Sequence, residues 1–168
     1  MTTTQTHLLR NVCSNRHRTY DFLVAWIRNA VLGVDRRGGI CLVLRGPSGC
    51  GKTFLVQRII APLFLDKCVR YETIGGLNTL VNGGRYRLLG VDDDGGDETA
   101  LRRLVCSDSI TYGGVSVPNR LHIAMTVGLD WKPPKGAESR FFVINMTNRR
   151  TDFKALTTVC RGVTLEDL

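Results

Sequence analysis

The sequence predicts an α/β fold, with helices packed on a central, mostly parallel sheet. Two patterns carry that prediction. Short apolar, β-branched stretches alternate with segments of helical apolar spacing, and no second core interrupts the series. One of the strands also runs directly through a glycine-rich octapeptide into a helix. At 168 residues the chain is long enough to bury a self-sufficient core. Its 18 glycines cluster in pairs such as Gly75-Gly76 and Gly113-Gly114, as tight turns between short elements require.

Taken in order, the polar residues 1–18 are expected to precede a single domain spanning 19–168. Residues 20–32 place Phe22, Leu23, Trp26, Ile27, Ala30 and Val31 at helical spacing, with Gly33 as the stop. A turn at 36–39 leads into 40–45, an apolar stretch suited to a buried parallel strand. Glycines break 46–53, after which Phe54, Leu55, Ile59 and Ile60 resume helical spacing over 53–63. Residues 69–73 predict a strand, 77–81 a short helix, 86–91 a strand ending in acids, and 99–106 a helix. Over 109–127, alternation around Pro118-Asn119-Arg120 predicts a long hairpin, with Gly113 and Gly114 adding a bulge. Two prolines mark 128–139 as an exposed loop, and 140–144 predicts a last buried strand.

Lys and Arg number 23 against 15 Asp and Glu, a formal charge of +8 that favours a polyanionic partner without identifying it. The basic residues are dispersed in groups such as Arg102-Arg103 and Arg149-Arg150, so the fold must assemble any such surface. Six cysteines without C-x-x-C spacing read as reduced thiols rather than a disulfide framework or a zinc site. The longest apolar run, 40–44, is too short to cross a bilayer, and 1–7 is polar rather than a leader. A soluble intracellular protein with no membrane partner is the expectation.

Gly46-Pro47-Ser48-Gly49-Cys50-Gly51-Lys52-Thr53 fits G-x-x-x-x-G-K-[ST] in the required setting, after a strand and before a helix. Such a loop curls successive backbone N–H groups around phosphate oxygens, and the helix N-terminus adds positive potential. Lys52 is expected to reach the β and γ phosphates of ATP, and the Thr53 hydroxyl to hold Mg²⁺. Leu88-Leu89-Gly90-Val91-Asp92-Asp93 is an apolar strand ending in paired carboxylates. Asp92 is the expected metal-side acid, and Asp93 the group that orients or polarises an attacking water. Asp94 and Asp97 read as solvated loop acids.

With both motifs in place, the chain resembles the superfamily 3 helicases, AAA+ class motors of small DNA viruses, poxvirus-type primase-helicases, phages and plasmids. The octapeptide and the double acid carry part of the resemblance, the latter as in papillomavirus helicases. A helix followed by the predicted hairpin stands where that family carries its nucleic-acid-binding hairpin, which implies contacts from Asn119 and Arg120 at the tip and His122 nearby. Phe141-Phe142-Val143-Ile144-Asn145-Met146-Thr147-Asn148 looks like the family's sensor 1 strand, with Asn148 as the sensor, so the hairpin is expected as an insertion before that strand. Arg161 follows at the spacing of an arginine finger that reaches the neighbouring subunit's ATP. The resemblance therefore implies a P-loop NTPase of AAA+-like, three-layer form that hydrolyses ATP with Mg²⁺. It also implies a homo-oligomeric ring, hexameric by preference, acting on single-stranded DNA, or on RNA as in picornavirus-like NTPases, beside other replication proteins. Two alternatives stand: a P-loop small-molecule kinase, and a non-motor ATP-binding assembly or regulatory protein.

Overall fold

A computed structural model of the chain describes residues 1–33, 39–64, 69–79, 86–147 and 163–168. Its strands, in chain order, are β1 (Cys41–Arg45), β2 (Val69–Thr73), β3 (Leu88–Asp92), β4 (Ser109–Tyr112), β5 (Val115–Pro118), β6 (His122–Val127) and β7 (Phe141–Asn145). Five of them make one sheet in the order β2-β3-β6-β1-β7, paired in parallel throughout. β4 and β5 form a separate antiparallel ribbon.

Strands covered on both faces have to be largely apolar, and β1 (Cys-Leu-Val-Leu-Arg) and β6 (His-Ile-Ala-Met-Thr-Val) are, with polar residues only at or near their ends. β2, at one edge, is half exposed and carries Arg70 and Glu72. Side chains alternate between two cores. Leu42, Leu44, Leu88, Ala124 and Ile144 face Leu8, Leu23, Ile27, Leu55 and Ile59 on one side. Cys41, Val43, Leu89, Ile123 and Met125 face Leu77, Leu101, Leu104 and Trp131 on the other. Burial of each such leucine is worth roughly 2 kcal/mol, and together they fix the three-layer α/β arrangement that the sequence predicts.

The helical layers are α1 (Thr3–His7), α2 (His17–Leu32), α3 (opening at Lys52–Phe54) and α4 (Thr99–Cys106). α3 continues through wider π-type turns over Leu55–Ile60 and closes with a 3₁₀ turn at Ala61–Leu63, where Pro62 cannot extend an α-helix. α2 ends as expected on Gly33, which takes a left-handed φ of 67°. β2 and α4 have the limits that the sequence predicts; of the short helix expected at 77–81, the residues 77–79 belong to a 3₁₀ turn at Gly75–Thr79, and 80–81 lie outside the described residues.

Two expectations need correction. The segment 1–18 is not a polar preamble: α1 runs on through π-type turns at Leu8–Val12, and Leu8 and Val12 are fully buried in the same core as β1. Its start was visible in Thr2-Thr3-Thr4-Gln5, a capping box in which Thr2 and Gln5 satisfy each other's backbone N–H groups. The long hairpin over 109–127 is also two structures. The ribbon turns at Gly113-Gly114, not at Pro118-Asn119-Arg120, with Tyr112 paired to Val115 across a two-residue turn. Both turn residues have positive φ, 57° and 80°, which a type I′ turn demands and glycine tolerates. Residues 122–127 then leave the ribbon as β6, the strand at the middle of the parallel sheet.

Candidate active site

The phosphate-loop sequence lies where β1 leaves the sheet. The Gly46 N–H donates to the Val127 carbonyl at 3.3 Å, and the Met146 N–H donates to the Arg45 carbonyl at 2.7 Å, so strands on both sides grip the loop's origin. A side chain at position 46 has no room: a Cβ there would lie 2.5 Å from the Met146 carbonyl oxygen and 2.9 Å from Cys50 Sγ. Gly51, with φ 95°, turns the chain into α3, whose first bond runs from the Leu55 N–H to the Gly51 carbonyl at 3.0 Å. The Lys52 ammonium folds over the loop and donates to the Gly46 and Pro47 carbonyls, each at 2.7 Å. Cys50 is buried beneath it, with Sγ 3.8 Å from Nζ.

Lys52 and Thr53 open onto a cleft of about 600 Å³ that Gly46, Ser48, Gly49 and Gly51 share with Asp92, Asp93, Thr126 and Gly128. The octapeptide and the acid pair, some forty residues apart in sequence, therefore face one space. β3 delivers the acids but does not touch β1, because β6 lies between them. Its Thr126 holds both: the Thr126 hydroxyl donates to Asp92 Oδ1, and the Asp93 N–H donates to the Thr126 carbonyl at 3.1 Å. Asp93 Oδ1 also accepts the Gly95 N–H at 3.0 Å.

Asp94 and Asp97 serve the loop, as the sequence suggests. Asp94 Oδ1 accepts the Gly75 and Gly96 N–H groups, both at 3.1 Å. The Thr73 hydroxyl, first, and the Gly75 N–H hold its carboxyl below the usual range. Asp97 takes the Thr99 hydroxyl at 2.7 Å and the Thr99 N–H at 3.0 Å at the start of α4, which lowers its pKa in the same way.

Among the described residues no group of three or more His, Cys, Asp and Glu could hold a metal ion through protein ligands alone. Mg²⁺ carried by a nucleotide does not need one. It keeps waters and phosphate oxygens and takes one or two protein ligands, and Thr53 and Asp92 on the cleft wall fit that demand.

The other site residues are not gathered here. Asn119 is 5% exposed and structural: its amide donates to the Leu104 and Ser107 carbonyls, both at 2.8 Å, and its Oδ1 accepts the Leu121 N–H at 3.0 Å. It ties the end of α4 to the base of the ribbon rather than standing at a tip. His122 is buried in β6, edge-on to Trp26 at 5.7 Å. Arg120 is exposed, two residues beyond the ribbon. Asn148 and Arg161 lie outside the described residues. The strand expected to lead to a sensor, now β7, lies on the far side of β1 from the acids; the strand between loop and acids is β6, and the polar residue it presents is Thr126. Sequence reading passed over Thr126, although a lone hydroxyl near the end of the apolar run 121–127 was a signal. Arg45, Asn145 and Glu98, which hydrogen bonds link through Arg45 and Trp131, left no local signal.

No protein-family model matches the chain, and no curated protein matches it. Solved structures do. The chain is similar to an A-form apo structure of the NrS-1 C-terminal region, with a TM-score of 0.74 and 15% identity over 94% of this chain and 43% of that one. A second A-form apo structure, of residues 305–718, gives 0.72 at 15% identity, covering 94% and 42%. A further apo structure of that region gives 0.69 at 13%, covering 97% and 46%. This chain thus spans less than half the length of each of these three structures, and the likeness it shares with them is one of fold.

Proposed function

We propose that the chain is a Mg²⁺-dependent ATPase and the motor portion of a protein that moves along or unwinds nucleic acid. One observation carries the reading: the Lys52-Thr53 loop and the Asp92-Asp93 pair, supplied by different strands, line a single cleft. The loop's backbone and the Lys52 ammonium bind the nucleotide's phosphates, and Lys52 exchanges its loop carbonyls for phosphate oxygens. Bound Mg²⁺ would neutralise charge on the β and γ phosphates. Asp92, oriented by Thr126, and Thr53 are the side chains that would hold it. Asp93 takes the proton of the attacking water; the water oxygen bonds to γ-phosphorus as the bond to the β-γ bridging oxygen breaks, and ADP and phosphate leave.

Coupling to nucleic acid rests on other features. The formal charge of +8 suits a polyanion. The β4-β5 ribbon has mostly exposed side chains, as an arm reaching a partner would. The ribbon itself holds no Lys, Arg or His, so phosphate contacts fall to residues such as Arg120 beside its base. Arg161 as a finger in a hexameric ring is part of the same proposal, with Thr126 on β6 in the place between loop and acids that a sensor would take.

The test is ATPase rate against protein concentration, with and without single-stranded DNA and RNA, in the parent, Lys52→Ala and Arg161→Ala. Lys52→Ala is expected to lose turnover by about 10²–10³-fold, the usual result of deleting a group that stabilises transition-state charge. Arg161→Ala is expected to lose turnover while keeping nucleotide affinity, and the parent's rate per subunit should climb with concentration and with nucleic acid. A concentration-independent rate indifferent to nucleic acid and to Arg161 would leave an isolated P-loop enzyme and favour a small phosphoryl acceptor.

A further inference from the structure

A run of directional polar contacts joins the origin of the phosphate loop to the start of α4, and the proposed hydrolysis uses none of it. Arg45 directly precedes Gly46. Its guanidinium donates through Nε to Asn145 Oδ1 at the end of β7, at 2.8 Å, and through one terminal nitrogen to the Trp131 carbonyl at 3.2 Å. Trp131 is 7% exposed, with its ring tilted against Phe141 at 5.6 Å. Its indole N–H donates to Glu98 Oε1 at 2.7 Å. Glu98 stands between the acidic turn and α4, and its carbonyl takes the Arg102 N–H at 2.8 Å in the helix's first turn. At its other end α4 is clamped by Asn119 to the base of the ribbon.

Packing of the Trp131 ring on Phe141 would be enough to anchor its loop. The polar links add direction, because a hydrogen bond weakens steeply once donor and acceptor leave line. A small displacement of the strand ends against α4 therefore changes the Trp131–Glu98 contact before it changes the apolar one. We infer that Arg45, Trp131 and Glu98 form a positioning relay, through which nucleotide on the phosphate loop sets the placement of α4, and through α4 that of the β4-β5 ribbon. The inference rests on the proposed reading of the cleft as a nucleotide site and of the ribbon as a nucleic-acid arm. Arg45, Trp131 and Glu98 are positioning residues that touch no reacting atom.

Two variants test it: Glu98→Ala, which removes the acceptor, and Trp131→Phe, which keeps an aromatic ring on Phe141 while removing the indole N–H with part of the ring volume. The emission present in the parent and absent in Trp131→Phe isolates the signal of Trp131. Titration with a non-hydrolysable ATP analogue and Mg²⁺ is expected to shift that emission in the parent but not in Glu98→Ala, while calorimetry shows the analogue bound to both. Stimulation of the ATPase by oligothymidylate is expected to fall about fivefold or more in both variants, the lower range of allosteric coupling, with basal turnover kept. Emission that responds to nucleotide equally with and without Glu98, or unreduced stimulation in both variants, overturns the relay and leaves the motor reading standing. Equal loss of basal and stimulated turnover assigns the residues a merely structural role and also overturns it. A parent that binds no nucleotide removes the site reading, and the relay with it.

Discussion

The cleft and the β4-β5 ribbon are built on opposite principles. The segments that frame the cleft are each held from a neighbouring strand or the residue just past it: Gly46 by Val127, Arg45 by Met146, Asp93 by Thr126. The strands behind them are buried on both faces, so loop and acids have almost no freedom to move independently. The ribbon's strands pair with each other and not with the main sheet, Ile110 alone of its described residues packs on a core, and the described side chains along it are mostly exposed, Val115 at 64%. A two-stranded ribbon is marginally stable in water, and its placement depends on the Asn119 clamp beneath it. On the proposed reading, the difference separates the place of chemistry from the place of contact with a mobile partner. Phosphate chemistry needs atoms fixed to within a fraction of an ångström, whereas an arm that follows a polymer needs a firm root and a free end.

Substitutions at three places would break or sharpen that contrast. The largest effect is expected for Gly46→Ala, whose methyl would meet the Met146 carbonyl at 2.5 Å. Either the loop or β7 must shift, so stability should fall by about 1–3 kcal/mol in thermal denaturation, as for other overpacked sites, with nucleotide binding lost in parallel. Retained binding would show the cleft to be more yielding than its hydrogen bonds imply. Thr126→Val keeps the branched shape and deletes the hydroxyl that holds Asp92. The Mg²⁺ concentration for half-maximal turnover should rise about tenfold, as when other residues that orient metal ligands are removed, and Thr126→Ser should restore it. An unchanged Mg²⁺ requirement would remove Asp92 from the metal or Thr126 from its support. Gly114→Ala is expected to do least to the whole molecule. A non-glycine residue at φ 80° costs about 1–2 kcal/mol, spent within the ribbon. Hydrogen exchange should show protection lost over 109–118 while the global melting midpoint moves by less than about 2 °C, as for local unfolding. A midpoint shift as large as that of Gly46→Ala would make the ribbon part of the cooperative core and dissolve the contrast.

The ribbon is also where reading from sequence went astray, and for a related reason. Pro118-Asn119-Arg120 has turn-forming composition, yet Gly113-Gly114 makes the turn, since two adjacent positive φ values favour glycine over any other residue. Residues 121–127 looked like the returning arm because a strand buried on both faces and one arm of an apolar hairpin have the same composition. Asn119 and His122 accordingly moved from an imagined tip into the interior. The strand β2 and the helix α4 were legible in full because their periodicity is local and uninterrupted.

By itself, the sequence determined the alternation of strands and helices, the phosphate-loop motif and the acid pair. Each is written in consecutive residues whose backbone preferences act over a single turn or strand. Tertiary structure alone decided that β6 separates β1 from β3, that Thr126 therefore stands between loop and acids, and that Arg45 reaches Trp131 and Trp131 reaches Glu98. Those facts depend on the order in which strands pair. That order is set by how two apolar faces are buried at once, a property of the whole sheet that no short stretch of chain encodes.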